Sequence, residues 1–146
     1  MIFRKLRIIA ASAALLGSLV ALPMQAQAAS KAFLAGKWTM VLVGNTGCGI
    51  HSMYVTMNLN TLGVGTANIA NHSTGCANSL QIGLPFNIVS LLANGEGTAN
   101  LSCGVGCGWS FRIQVAADGN TMILTDVDAL NPKNTPTGTA LRQWPL

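Results

Sequence analysis

Two histidines and four cysteines fall along the chain in spacings that carry chemistry. Cys48-x-x-His51 and His72-x-x-x-Cys76 are chelate-like, and Cys103-Gly-Val-Gly-Cys107 adds two more sulfurs. Thiolate and imidazole at such spacings suit zinc. The same four cysteines, oxidised, form two disulfides instead. His51 and His72 are also able to serve as acid–base groups, with Asp126 or Asp128 as the orienting carboxylate. Neither a nucleophile elbow nor a paired-carboxylate pattern accompanies them, so no catalytic residue, metal or cofactor is assigned. Trp109 and Phe111 alternate along one run. They are either core or the apolar wall of a ligand site.

The compartment decides between thiolate and disulfide, and the N-terminus speaks to the compartment. Arg4, Lys5 and Arg7 precede an uncharged apolar stretch from Ile8 to Leu22; Pro23 and the small-x-small site Ala26-Gln27-Ala28 follow. This is the tripartite pattern of a cleavable, bacterial-type secretory signal. The stretch is shorter than the ~20 apolar residues of a membrane anchor. The expected organisation is therefore a signal at 1–28 and one domain at 29–146, secreted or periplasmic, with no membrane span in the mature form. In an oxidising compartment, bridges are the better account of the cysteines. Of the three connectivities, Cys48–Cys76 with Cys103–Cys107 joins two neighbouring loops and pins a third.

Cleavage also removes most of the formal charge of +4. Lys31, Lys37, Arg112, Lys133 and Arg142 then stand against Glu96, Asp118, Asp126 and Asp128. These scattered cations form no basic cluster of the kind that neutralises phosphates, so nucleic acid is excluded as a partner.

The elements that must position these residues are strands. Met53, Val55, Met57 and Leu59 alternate with Ser52, Tyr54, Thr56 and Asn58; Phe111, Ile113 and Val115 alternate with Ser110, Arg112 and Gln114. Period two over such runs marks strands with one buried face. Gly63-Val-Gly-Thr-Ala-Asn-Ile69 matches Gly95-Glu-Gly-Thr-Ala-Asn-Leu101, one hairpin used twice. Strands are expected at 36–44, 52–60, 63–70, 79–92, 95–103, 107–117, 121–127 and 138–143. Tight turns are expected after the second, fourth and sixth, and longer loops after the first, third and seventh. The fold class is all-β: an eight-stranded antiparallel up-and-down barrel, with a β-sandwich as the alternative. In the barrel, all four cysteines, both histidines, Trp109, Asp126 and Asp128 gather at one rim.

Leu34-Ala-Gly36-Lys-Trp38-Thr39 resembles the opening of the calycin barrels: lipocalins, avidins and small periplasmic metalloprotease inhibitors. Those families begin with Gly-x-Trp and end with a basic residue packed across that Trp. The resemblance implies that Arg142 lies over the Trp38 indole, with Gly65 and Gly97 making room for the ring. Met40 stands where avidins carry a polar ligand contact, so biotin binding is not implied. Ser102 to Gly108, Ser-Cys-Gly-x-Gly-Cys-Gly, is similar to an element of small secreted bacterial proteins and implies no function.

The expected function is a non-catalytic binding module for a small hydrophobic ligand at the disulfide-pinned rim. Trp109, Phe111, Asp126, His51 and His72 are the candidate contacts. The lumen would be lined by Trp38, Met40, Leu42, Val55, Met57, Ile82, Leu84, Phe86, Trp109, Phe111, Ile113, Met122 and Leu124. The alternative is a protein partner, as in a protease inhibitor acting through residues 29–35 or the rim loops. A structural envelope protein is a third reading.

Overall fold

The computed structural model describes residues 28–104, 107–127 and 135–144. The expected signal up to residue 27, Asp128 and Lys133 lie outside the described residues. After a short 3-10 turn at Ala32–Leu34 come β1 (Gly36–Thr46), β2 (Gly49–Leu59), β3 (Val64–Ser73), β4 (Ser79–Leu91), β5 (Glu96–Gly104), β6 (Cys107–Val115), β7 (Thr121–Asp126) and β8 (Thr137–Gln143). Each strand pairs antiparallel with the next, and β1 closes on β8. The sandwich alternative is thereby excluded. Closure leaves no unpaired edge for another chain to extend. Among the described residues no helix is long and apolar enough to cross a membrane.

Alternation decides which side chains enter the barrel. On β2, His51, Met53, Val55, Met57 and Leu59 are buried, while Ser52, Tyr54, Thr56 and Asn58 face solvent. The core from Leu34 to Ala140 is nowhere more than 3% exposed, including Trp38, Phe86, Phe111 and Met122. Surfaces so nearly inaccessible border no water-sized void, so these side chains pack against one another and fill the centre of the barrel. Each large one contributes about 1.5–3 kcal/mol by leaving water.

The floor is closed by the segment preceding β1. Leu34 is fully buried, and its carbonyl accepts the Trp38 Nε1 proton at 2.9 Å. Arg142, the cross-strand partner of Trp38, donates to the carbonyls of Phe33 (3.0 Å) and Ala35 (2.5 Å). The ring beneath its guanidinium is that of Trp144, 5.2 Å from the centroid, and not the expected Trp38. The carbonyls at the end of the 3-10 turn draw the guanidinium along the floor, leaving Trp38 to be capped by Leu34. Gly65 and Gly97, expected to make room for the indole, are constrained first by another contact. A Cβ at these positions would meet the backbone carbonyls of Asn58 and Ser90, so both serve close strand-to-strand approach.

The internal repeat is reproduced bond for bond. Asn60 donates to the Val64 carbonyl as Leu92 does to Glu96, and Gly63 to Asn60 as Gly95 to Leu92. The Gly63 and Gly95 carbonyls each accept an amide from a further strand, Ile88 and Val115 respectively.

Two expectations about the strands are corrected. The connection after the first strand is not a long loop: pairing continues to Thr46↔Gly49, leaving only Gly47 and Cys48 in the turn. Gly49 at φ +84° permits this tight reversal. The second correction is Ile82, expected in the lumen but 72% exposed. Ala67 pairs with Leu84 whereas Ile69 pairs with Gln81, so two residues of β4 oppose Asn68 alone. This bulge, with Gly83 at φ +72° and its amide bonded to Asn68 Oδ1 at 2.9 Å, reverses the alternation and turns Leu80 and Ile82 outward.

Candidate ligand-binding rim

The inward columns change chemistry toward the end opposite the floor. On β3 the inward series runs Ala67, Ile69, Asn71, Ser73; on β2 it ends Val55, Met53, His51; on β7 it ends Leu124, Asp126. On β6 the outermost inward side chain is Trp109, half-buried against the core, and Phe111 below it is fully buried. The lumen is apolar through its depth and polar at its mouth, with one indole set among the polar groups.

Two disulfides, Cys48–Cys76 and Cys103–Cys107, hold this mouth. The first ties the β1–β2 turn to the β3–β4 loop; the second closes the β5–β6 turn. The four sulfurs are bonded in two pairs, and no group of three or more metal-ligating side chains occurs among the described residues. Ser73, 7% exposed, braces the first bridge from within. Its hydroxyl donates to the Cys48 carbonyl at 3.2 Å and accepts the Gly75 and Cys76 amides at 3.3 and 2.9 Å. Thr74 completes the seam: its Oγ1 accepts the Ile50 amide and its own amide donates to the Ile50 carbonyl.

His51 sits directly behind that seam, paired with Ser73 and only 6% exposed. Its Nδ1 lies 2.5 Å from Thr46 Oγ1, which also accepts the Cys48 amide. Nε2, on the other edge of the ring, is buried without a hydrogen-bond partner, as is Asn71 Oδ1 one inward position along. If Thr46 donates to Nδ1, Nε2 carries the ring proton and is an unused donor; in the other tautomer it is an unused acceptor. An unmet buried polar group costs about 1–3 kcal/mol. Among the described residues, nothing uses this hydrogen-bonding capacity.

Of the sequence candidates, His51, Trp109, Phe111 and Asp126 all face inward, and Asp126 pairs with Phe111 across β6 and β7. Phe111 is sealed within the core, so Trp109 is the aromatic side chain nearest the opening. His72 departs from expectation. It pairs with Ser52 on the outer face and is exposed, because neighbouring positions on a strand point to opposite sides. Thr46, Asn71 and Ser73 were not singled out from the sequence. They continue the inward alternation of β1 and β3 beyond the points where apolar residues stop marking it.

Neither a protein-family model nor a curated protein matches the chain.

Proposed function

We propose that this is an exported, non-catalytic binding barrel of calycin-like type that takes one small ligand at its disulfide-pinned mouth. The observation that carries this reading is the buried, unpartnered pair His51 Nε2 and Asn71 Oδ1 in a mouth that also presents Trp109. Pockets that combine an apolar wall with a few convergent polar groups are the usual form of small-molecule sites. The ligand has an apolar or aromatic body to lie against Trp109 and a polar group to meet the imidazole and amide. It rests above Phe111, since the core below is full. Pinning the loops lowers the ordering cost of binding.

Export is supported by the tripartite N-terminus and the two disulfides. The calycin type is supported by Gly36-x-Trp38 at the start of the barrel and by Arg142 beside Trp38 at its end. An inhibitor acting through residues 29–35 is disfavoured, because that segment is docked on the floor. Ala29 donates to the Ala93 carbonyl at 3.1 Å and Lys31 Nζ to that of Val89 at 2.9 Å.

Titration with 1-anilinonaphthalene-8-sulfonate, an aromatic probe with a polar head, tests the reading. Saturable one-site binding is expected, weakened about tenfold or more by Trp109→Ala and by His51→Leu, and unaffected by Val41→Lys on the outer wall. Absence of saturable binding, or its loss only in Val41→Lys, overturns it.

A further inference from the structure

The outside of the barrel carries a second surface of different chemistry. Cross-strand register sets Ile123, Thr139, Val41, Tyr54, Ala70 and Leu80 in one unbroken row over β7, β8, β1, β2, β3 and β4. Val41, Tyr54 and Ile123 are 49, 52 and 50% exposed, and Leu80 68%. Val43 and Leu141, two positions along β1 and β8, flank the row and are also exposed. Between Lys37 at the floor and His72 at the rim, no outward residue of β8, β1, β2 or β3 bears a charge. The outer face of β5 and β6 is unlike this. It presents Glu96, Thr98, Asn100, Arg112 and Gln114.

We propose that the β8–β1–β2–β3 face binds a second copy of the chain and makes a two-fold dimer. A contiguous row of exposed, mainly apolar side chains marks a contact site, and four further features select an identical partner. In a two-fold contact each patch meets itself, so any charge on it faces a like charge; this face has none in its centre. The chain without its expected signal is nearly neutral, so long-range repulsion between copies is small. The size also fits: the outward positions of the four strands number about twenty, near the ~20–30 residues that each side of a standard interface supplies. Finally, the face holds both relief and hollow. A groove of about 450 Å³ runs beside Ser52, Tyr54, Ala70 and His72, with Leu80 on its border. Ile82, 72% exposed, projects from the same strand as Leu80. A knob on β4, at the border of the face, and a groove on β2 and β3 give two copies a means to interlock.

Sedimentation velocity of the natively processed, disulfide-intact chain, from micromolar to near-millimolar concentration, tests this. The expected result is a mass of two copies at the upper end. Val41→Lys and Tyr54→Glu should each weaken the dimer about tenfold or more, while Asn100→Lys on β5 leaves it unchanged. Circular dichroism and the thermal midpoint verify that each variant folds; Thr139→Lys, next in the row, replaces any that does not. A wild type monomeric at every concentration overturns the proposal. So does a dimer that survives both row substitutions, or one that Asn100→Lys disrupts equally.

Discussion

The two ends of this barrel are closed by different means. At the floor a local segment folds under the sheet: Leu34 plugs the centre, Trp38 bonds to the Leu34 carbonyl, and Arg142 clasps the carbonyls of Phe33 and Ala35. No cysteine takes part. At the rim, among the described residues, covalent bridges and the hydroxyls of Ser73 and Thr46 hold the turns. Packing and carbonyl hydrogen bonds fill the space they stabilise, so the floor is solid. A disulfide constrains the turns without adding packed side chains, and behind the bridges the inward positions are held by polar groups, His51 and Asn71, whose Nε2 and Oδ1 are buried.

The comparison breaks first at Trp38. Trp38→Ala removes a fully buried ring and the bond that holds the plug, and should cost about 3–5 kcal/mol in denaturant unfolding. A cost no greater than that of an exposed-site substitution would show that the floor does not carry the barrel. At the rim, replacing Cys48 and Cys76 together by Ala opens a loop of 28 residues, against 4 for Cys103 and Cys107. Chain entropy assigns about 3–4 kcal/mol to the first and about 2 to the second. Urea titration of the two double variants checks the order, and equal losses would mean that loop length is not what matters.

Arg142→Ala comes next, at about 1.5–3 kcal/mol for charge-assisted bonds to two carbonyls. Arg142→Lys should recover only part, because an ammonium lacks the guanidinium fork that reaches both carbonyls. The smallest and sharpest effect is at His51. His51→Leu forfeits the Thr46 bond but also removes the unmet Nε2, so stability should move by no more than about 1 kcal/mol either way. Probe binding should nonetheless weaken about tenfold or more. A large destabilisation with binding intact would make His51 part of the scaffold rather than of the site.

Much of this architecture was legible in the residues. The alternation of Met53 to Leu59 and of Phe111 to Val115 identifies strands and their buried faces, since period two is a property of the extended chain. The repeat at Gly63 and Gly95 announces one turn used twice, and the turn chemistry that makes it is local. The even set of four cysteines, read with the expected export signal, leads to two bridges. Other features escaped. Ile50 is apolar yet points outward, which hides the true extent of β2 and the shortness of the turn before it. Leu80 and Ile82 continue the alternation of Leu84 and Phe86 in the sequence, but the bulge opposite Asn68 reverses their faces.

The site divides in the same way. Sequence alone determined which residues carry hydrogen-bonding and aromatic chemistry, and the order of strands and turns brought His51, Trp109 and Asp126 to one end. That inference needs only connectivity, because antiparallel neighbours joined in sequence return to the same rim. Whether a residue there looks inward or outward depends on register and bulges, which are set by pairing with another strand. Only the closed barrel therefore sent His72 outside and Asn71 and Ser73 inside. It also settled that Arg142 clasps carbonyls, since the position of a long side chain is decided by the donors and acceptors that distant segments bring within its reach.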